Sequence, residues 1–190
     1  MRAAFLAIAL SVVGSIWSSG TAAQDVVALQ RLAEPRTHAL MRHALAPGTG
    51  DPANFALGDC TTQRNLNDAG RAQARAAGAA VRAAGVTVDH LLTSQWCRCE
   101  ETARLLDLGP VIEEPALNSF FRDRSTAEDQ TEAVRQLLAS LPAEETAVLV
   151  THQVNITALT GIFPRSGEFI LVTVDDSGTL EVIDRVPVPD

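Results

Sequence analysis

The sequence predicts an α/β fold, a three-layer αβα sandwich with a mostly parallel central sheet, and two patterns support this prediction. Short apolar runs alternate with longer segments of helical pattern, as in Thr37–His43, Asn67–Ala84 and His90–Ser94. Such alternation is typical of parallel sheets with helices on both faces. Near the end of the chain, Glu168–Val174 and Thr179–Ile183 flank a turn-forming Asp-Asp-Ser-Gly segment, which predicts a C-terminal hairpin.

In the first half of the chain, helix and loop signals surround the first strand. Asp25–Glu34 predicts a short amphipathic helix, because its apolar residues recur at helical spacing and Pro35 follows. Ala44–Gln63 is rich in Gly, Pro, Asp and Asn and predicts a long loop, and loops of that length usually serve a function. Asn67 is a helix cap, and Gly85 ends that helix.

In the second half, shorter elements alternate in the same way. A helix begins near Trp96 or Cys97 and runs through Leu106, with Gly109 and Pro110 as its stop. The remaining predicted elements are a strand at Val111–Glu113, a loop at Asn118–Asp129, a helix at Glu132–Ser140, a strand at Ala147–Thr151 and a helix from about Asn155.

The first residues have the pattern of an export signal. A charged start at Arg2 precedes an apolar stretch from Ala3 to Trp17, and small residues up to Ala23 offer a cleavage site. This stretch is shorter than the about 20 apolar residues of a membrane span. We therefore expect a signal peptide over residues 1–23, a single domain over residues 24–190, and a secreted, periplasmic product with no stable membrane insertion after cleavage.

Charge and cysteine content limit the possible partners. The formal net charge of −8 argues against a general role on nucleic acid, where basic patches are expected. Cys60, Cys97 and Cys99 would face an oxidising compartment after export, so one disulfide and one free thiol are expected. Cys60 is the predicted partner of either Cys97 or Cys99, since that bond would hold the long loop, while three reduced buried cysteines remain the alternative.

Four side chains at predicted strand ends and at a helix start indicate the chemistry. Arg42 and His43 end the first strand, Arg98 opens a helix, and His152 follows the apolar strand Ala147–Thr151. The carboxyl ends of parallel strands meet at one edge of a sheet, so these residues form one cluster if the strands are neighbours. An imidazole can carry a phosphoryl group as a nucleophile, and arginine forks match phosphate oxygens. The cluster therefore favours phosphoryl transfer.

Four motifs, in the right order, resemble those of the histidine phosphatase superfamily, which has the phosphoglycerate-mutase-like fold. Residues 40–44 resemble its arginine-histidine-glycine signature, with alanine in place of glycine, and residues 65–74 resemble its first-helix motif. Residues 94–103 resemble its pattern of a serine, an arginine and a Thr-Ala pair, and residues 148–152 resemble the strand before its second histidine. The resemblance implies a phosphatase that uses neither a metal nor another cofactor and acts on a phosphorylated small molecule.

The resemblance also assigns roles to the cluster. His43 is implied to be phosphorylated during turnover, while Arg42, Arg98 and His152 are implied to bind the phosphoryl oxygens. The Arg-His-Ala start and a loop cysteine are similar to an exported member, a lipopolysaccharide core heptose phosphate phosphatase, which implies a cell-envelope sugar phosphate as substrate. Arg64, where the long loop returns to the helix, is a candidate substrate ligand, with a solvated arginine as the equal alternative.

The sequence departs from the family at the proton donor. Residues 117–123 contain none of the glutamates that many members carry after the third strand, and Gln153 follows His152 where another branch has aspartate. An alkoxide leaving group needs a proton, so Asp123 becomes the candidate donor, with Asp51 or Asp59 of the long loop behind it. A phosphoramidate or anhydride substrate would relax the requirement.

Two alternatives accompany the phosphatase hypothesis. The missing glutamate is compatible with a catalytically weak phosphate-binding protein of the same fold. The second alternative is an exported metal-binding protein that uses Cys97 and Cys99, since soft metals favour thiolates and imidazoles. Against it, Arg98 between the two cysteines would repel a cation. His38 and His90 are predicted to be structural.

Overall fold

A single mixed sheet of six strands organises the part of the chain that the computed structural model describes, residues 19–188. Its strand order is β3-β2-β4-β1-β5-β6. The strands are β1 (Thr37–Arg42), β2 (His90–Thr93), β3 (Val111–Glu113), β4 (Ala147–Thr151), β5 (Phe169–Val174) and β6 (Leu180–Val186). The α-helices are α1 (Ser19–Gln30), α2 (Asp68–Ala83), α3 (Cys97–Leu106), α4 (Ala127–Ser140) and α5 (Gln153–Thr160).

The central strand β1 is buried on both faces. Ala39 and Met41 pack in one apolar cluster with residues of α1, α2 and α3, while Leu40 packs in a second cluster with residues of α4 and α5. Successive side chains of a strand point to opposite faces of the sheet, so this continuous apolar run serves two helical layers. The predicted three-layer αβα sandwich is confirmed.

The sheet is parallel in its first four strands and antiparallel at one side. β3, β2, β4 and β1 run parallel, whereas β5 pairs antiparallel with both β1 and β6. The predicted C-terminal hairpin is confirmed, and β6 extends to Val186, beyond the predicted end at Ile183. The sequence did not indicate that the hairpin lies beside β1, because that pairing joins residues far apart in the chain.

Several predicted helix boundaries are wrong by a few residues. α1 begins before the predicted start and gives way to a 3₁₀ turn at Arg31–Ala33. α3 ends at Leu106 as predicted, and the residue that stops it is Asp107, which adopts a left-handed conformation, rather than Gly109. α4 begins at Ala127, inside the predicted loop, and α5 begins at Gln153, directly after β4. Turn-forming residues in the sequence therefore indicated the region in which a helix begins or ends, but not always the exact boundary residue.

Most of the predicted signal peptide, residues 1–18, lies outside the described residues, whereas residues 19–23 form the start of α1. Within residues 19–188, none of the helices has both the length and the apolar character required to cross a membrane.

Candidate active site

The register between β1 and β4 brings the two strand-end histidines together. The strands are parallel and pair Arg42 with Thr151, so the next residue of each strand, His43 and His152, leaves the sheet at the same edge. The centroids of the two imidazole rings lie 5.5 Å apart, and both residues are almost completely buried. The structure thus places the two predicted histidines in one site.

The His43 ring is held so that one nitrogen faces the site. Its Nδ1 lies 2.8 Å from the carbonyl oxygen of Ala44 and can only donate a proton to it, which leaves Nε2 unprotonated on a neutral ring. Nε2 in turn accepts a hydrogen bond of 3.3 Å from Nε of Arg98. Burial lowers the pKa of His43 well below its usual value, and the positive charge of Arg98 lowers it further. The imidazole is therefore neutral and has a free electron pair at Nε2.

A polar chain orients the second histidine. Gln95 N–H and the Ser94 hydroxyl both donate to Oδ1 of Asn118, at 2.9 and 3.2 Å. Because the Ser94 proton is used there, the 2.9 Å contact between Ser94 Oγ and His152 Nε2 requires the imidazole to donate. His152 Nδ1 then faces Nη2 of Arg98 at 3.4 Å as an acceptor. Burial, followed by the charge of Arg98, lowers the pKa of His152 well below its usual value.

Arg98 lies between the two histidines with its guanidinium group almost wholly buried. Its Nε and Nη2 form the edge that faces the rings of His43 and His152. Its other edge binds Asp51 in a two-pronged ion pair, with 2.7 Å from Nη1 to Oδ1 and 3.2 Å from Nη2 to Oδ2. Nη1 also reaches the carbonyl oxygen of Arg64 at 3.4 Å. Every nitrogen of the fork is therefore directed by a neighbour.

Arg42 contributes a second guanidinium group that is only partly engaged. Its Nη1 donates to the carbonyl oxygen of Pro164 at 2.9 Å. Its Nε is buried and has no hydrogen-bond partner. A buried donor without a partner is costly, and such a group in a native structure calls for an explanation. An anion bound beside Arg42 would satisfy it.

Motif residues on two helices hold the chain directly after His43. Thr102 of α3 accepts the backbone N–H of Ala44 at 3.1 Å, and Gln73 of α2 accepts that of Leu45 at 3.0 Å. Gly70 of α2 lies so close to Leu45 that a Cβ atom there would meet its carbonyl oxygen at 2.0 Å. These contacts fix the backbone on which the His43 ring depends.

Asp51 joins the long loop to the site. Its carboxylate accepts the Trp96 indole N–H at 3.1 Å and the backbone N–H of Arg64 at 3.1 Å, in addition to both prongs of Arg98. Burial alone would raise the pKa of Asp51, but the hydrogen bonds and charge of Arg98 outweigh it and lower that pKa below its ordinary value. Asp51 is therefore an ionised counter-charge to Arg98.

The disulfide anchors the same loop to the start of α3. Cys60 is bonded to Cys97, so one of the two predicted partners of Cys60 is correct. The side-chain carbonyl of Gln63 also accepts the backbone N–H of Cys97 at 3.0 Å. Cys97 directly precedes Arg98, and the cross-link therefore fixes the loop next to the buried guanidinium group.

Cys99 is the free thiol predicted from the sequence. It is buried with its sulfur 3.5 Å from Nε2 of His152, and burial raises its pKa to about 12. The thiol is therefore protonated and adds no charge to the site. The proposed Cys97 and Cys99 metal clamp is not formed, since Cys97 is in the disulfide, and across residues 19–188 no three His, Cys, Asp or Glu side chains are grouped to hold an ion.

Arg64 and Asp123 differ from the four clustered residues. Arg64 donates from Nε to the carbonyl of Gly50 at 2.9 Å and from Nη1 to the carbonyl of Ala46, so its guanidinium group ties the loop together. Burial and the charge of Arg98 lower its pKa to about 10, so it stays a cation. Asp123 is exposed and caps a 3₁₀ turn through the N–H of Ser125 at 2.9 Å. Their predicted roles at the substrate stay predictions.

Two features of the site were missed in the sequence. The pair between Asp51 and Arg98 had a signal, because an arginine clustered with other cations needs a counter-charge and the long loop offers few carboxylates. Asp51 was considered only as a proton donor. The orienting role of Asn118 on Ser94 had no such signal, since a lone asparagine in a polar loop is unremarkable in sequence.

The sequence model of the histidine phosphatase superfamily (branch 1) matches residues 39–134. The chain belongs to this superfamily. The match includes His43, Arg42 and Arg98, and the fold places His152, beyond it, in the same cluster. Membership makes the protein a phosphatase, and the sequence resemblance is confirmed at the level of the family.

Solved structures that share the fold include two phosphatases and a hydrolase. The protein histidine phosphatase SixA, complexed with tungstate, is 18% identical, with a TM-score of 0.57 over 79% of this chain and 96% of SixA. A mycobacterial glucosyl-3-phosphoglycerate phosphatase complexed with VO3 is 17% identical, with a TM-score of 0.52 over 73% and 92%. A mycobacterial hydrolase is 15% identical, with a TM-score of 0.60 over 82% and 100%. A search of curated proteins found no match.

Proposed function

We propose that this histidine phosphatase hydrolyses a phosphomonoester of a small molecule through a phosphohistidine at Nε2 of His43. The observation that carries the proposal is the tautomer of His43, which Ala44 fixes by accepting the Nδ1 proton at 2.8 Å. The nucleophilic nitrogen is thereby neutral, unprotonated and directed at the guanidinium group that would hold the phosphoryl oxygens. No deprotonation step is needed before attack.

The reaction has two displacements. In the first, the electron pair of His43 Nε2 forms a bond to phosphorus while the bond from phosphorus to the ester oxygen breaks, and the departing oxygen takes up a proton. In the second, water attacks phosphorus as the N–P bond breaks, the proton that water loses replaces the one taken up by the departing oxygen, and inorganic phosphate leaves with the neutral imidazole restored. The hydrogen bond from Nδ1 to the carbonyl oxygen of Ala44 stabilises the positive charge that develops on the phosphorylated imidazole.

Three further groups would stabilise the transferring phosphoryl group. Arg98 offers the Nε and Nη2 edge that lies between the two histidine rings, and Arg42 offers the buried Nε that has no partner. Preorganised donors of this kind account for a large part of the catalysis of phosphoryl transfer. The charge of an incoming phosphoryl dianion favours a protonated His152, because a nearby opposite charge raises the pKa of an imidazole.

The proton donor is a separate part of the proposal. Asp51 is ionised and bound on both oxygens, which makes it unsuited to donate a proton in this arrangement. Asp123 is the candidate from the sequence, but its carboxylate is exposed and accepts the backbone N–H of Ser125, so we expect the leaving oxygen to take its proton from solvent unless the loop around Asp123 moves.

Export and an envelope sugar phosphate complete the proposal. Export is supported by the signal-like sequence of residues 1–23 and by the disulfide between Cys60 and Cys97, since disulfides persist mainly in oxidising compartments. A sugar phosphate is supported by the resemblance to the heptose phosphate phosphatase. The test of this part is a screen of phosphorylated sugars and other metabolites with the protein cleaved after Ala23 and kept oxidised.

The mechanism is tested with His43→Ala and a matched histidine variant outside the site, His90→Gln. His90 pairs with Glu145 at 2.6 Å and is half-buried, so its replacement removes a pair that lies outside the site. We expect His43→Ala to lose hydrolysis of an aryl phosphate while keeping its fold by circular dichroism, and His90→Gln to retain activity. Acid-labile phosphate should be trapped on His43 during turnover. Retained activity in His43→Ala would refute the nucleophile, and phosphate binding without turnover by the wild type would favour the binding-protein alternative.

A further inference from the structure

The ion pair between Arg98 and Asp51 divides the guanidinium group into two edges with different tasks. The edge of Nε and Nη2 faces the two histidines, at 3.3 Å from His43 and 3.4 Å from His152. The adjoining edge of Nη1 and Nη2 is held by both carboxylate oxygens of Asp51. A planar fork that is fixed on one edge presents the other edge in a defined orientation.

Asp51 is itself held firmly from two directions. Its Oδ2 accepts the indole N–H of Trp96 at 3.1 Å, and the Trp96 ring stacks on Phe55 of the same loop with centroids 5.0 Å apart. Its Oδ1 accepts the backbone N–H of Arg64 at 3.1 Å. The side chain of Asp51 is 14% exposed and that of Arg98 is 3% exposed, so the pair is shielded from water. Breaking such a pair leaves an uncompensated buried charge.

We propose that Asp51 is a positioning residue for catalysis, which holds Arg98 with its Nε and Nη2 edge toward the phosphoryl group on His43. The inference rests on the proposed function and adds a residue that touches neither the substrate nor the reacting nitrogen. Its negative charge also offsets part of the positive charge of three clustered arginines. Without Asp51, the Arg98 side chain can rotate out of the plane that both histidines require.

The positioning role differs from a proton-donor role in its kinetic signature. A donor matters for leaving groups that need a proton, whereas the orientation of Arg98 matters for the transferring phosphoryl group, whatever the leaving group is. Removal of a carboxylate close to an anion site also favours anion binding. We therefore expect a loss in kcat that is equal for aryl and alkyl phosphates, with no rise in KM.

The kinetic test uses Asp51→Asn, with Asp68→Asn as the matched control. Asp68 also pairs with an arginine, Arg71 at 3.0 Å, but its carboxylate is fully exposed and lies outside the site. We expect Asp51→Asn to lower kcat about 100-fold on both substrates, the effect of a misplaced catalytic group, and Asp68→Asn to leave it unchanged. In an Arg98→Lys background Asp51→Asn should cause little further loss, since coupled residues are not additive. A loss confined to alkyl phosphates, a full loss in the Arg98→Lys background, or no loss would each overturn the proposal.

A spectroscopic test does not depend on activity. Side-chain ¹⁵N–¹H NMR of the wild type should show separate, slowly exchanging Nη resonances for an immobilised Arg98. Asp51→Asn should average these resonances, and Asp68→Asn should preserve them. Unchanged Arg98 resonances in Asp51→Asn would overturn the positioning role even if the wild type proves to be an active phosphatase. A wild type without phosphatase activity would refute the proposed function while this measurement still decided the role of Asp51.

Discussion

The sheet and the long loop supply parts of the same site by different physical means. His43 and His152 are placed by the parallel register of β1 and β4, whose side chains, apart from that of Arg42, are buried between helices on both faces. Asp51 lies in a loop segment without regular structure and reaches the site through an ion pair with Arg98, a contact that depends on specific polar groups. The position of the nucleophile therefore depends on the buried core, whereas the orientation of Arg98 depends on a few local hydrogen bonds.

Arg98 is the point at which the two parts meet, and its replacement should have the largest effect. We expect Arg98→Lys to lower kcat/KM by about a thousandfold, because a lysine cannot present two parallel donors and loses the fork held by Asp51. Arg104→Lys, on the exposed side of the same helix and paired with Glu100, is the control and should retain activity. Activity of Arg98→Lys within tenfold of the wild type would show that His43 and His152 support catalysis without an oriented guanidinium group.

Removal of the disulfide between Cys60 and Cys97 tests whether the long loop keeps Asp51 on Arg98 without this cross-link. Cys60 and Cys97 are 37 residues apart, and a disulfide that closes a loop of this size contributes about 4 kcal/mol to the free energy of unfolding. We expect the Cys60→Ser and Cys97→Ser double variant to lose about that amount in denaturant unfolding and to lose activity as Asp51 leaves Arg98. Reductant should affect the wild type in the same way and leave the double variant unchanged. Full activity of the reduced enzyme would show that the ion pair alone holds the loop.

The sequence predicted the sheet part well because burial leaves a pattern. Thr37–Arg42 and Ala147–Thr151 are continuous apolar runs, and the strand-end placement of His43 and His152 followed from them. The sequence could not show that β5 inserts beside β1, since a pairing between distant residues leaves no local trace. The sequence left the partner of Cys60 open for the same reason, because only the folded loop brings Cys97 rather than Cys99 within reach.

A histidine at the start of β1 gives a pH test of the sheet part. His38 is buried and accepts the backbone N–H of Ala147 at 3.2 Å, and burial, aided by the charge of His90, lowers its pKa to about 4. The unfolded chain takes up a proton below its ordinary pKa of 6.5, so stability is fully present above that pH and is lost as pH falls toward about 4.

From pH 7 to pH 5, His38 alone should cost about 2 kcal/mol of unfolding free energy. Urea unfolding at several pH values measures this slope. His38→Gln should reduce the slope by about that amount, whereas His90→Gln should keep most of it. A slope that His38→Gln leaves unchanged would assign the pH dependence to other groups.

Replacement of Asp123 should have the smallest effect on activity. It compares the loop of Asp51, which contacts Arg98, with a loop that does not. Its carboxylate is exposed and its hydrogen bonds from Ser125 lower its pKa, so it is ionised and occupied with its own turn. We expect Asp123→Asn to change kcat/KM by less than about threefold, as for an ordinary surface substitution, on both alkyl and aryl phosphates. A loss much larger for alkyl phosphates would instead identify Asp123 as the proton donor. The loop around Asp123 would then have to move toward His43 during turnover, because a donor must come within hydrogen-bond reach of the leaving oxygen.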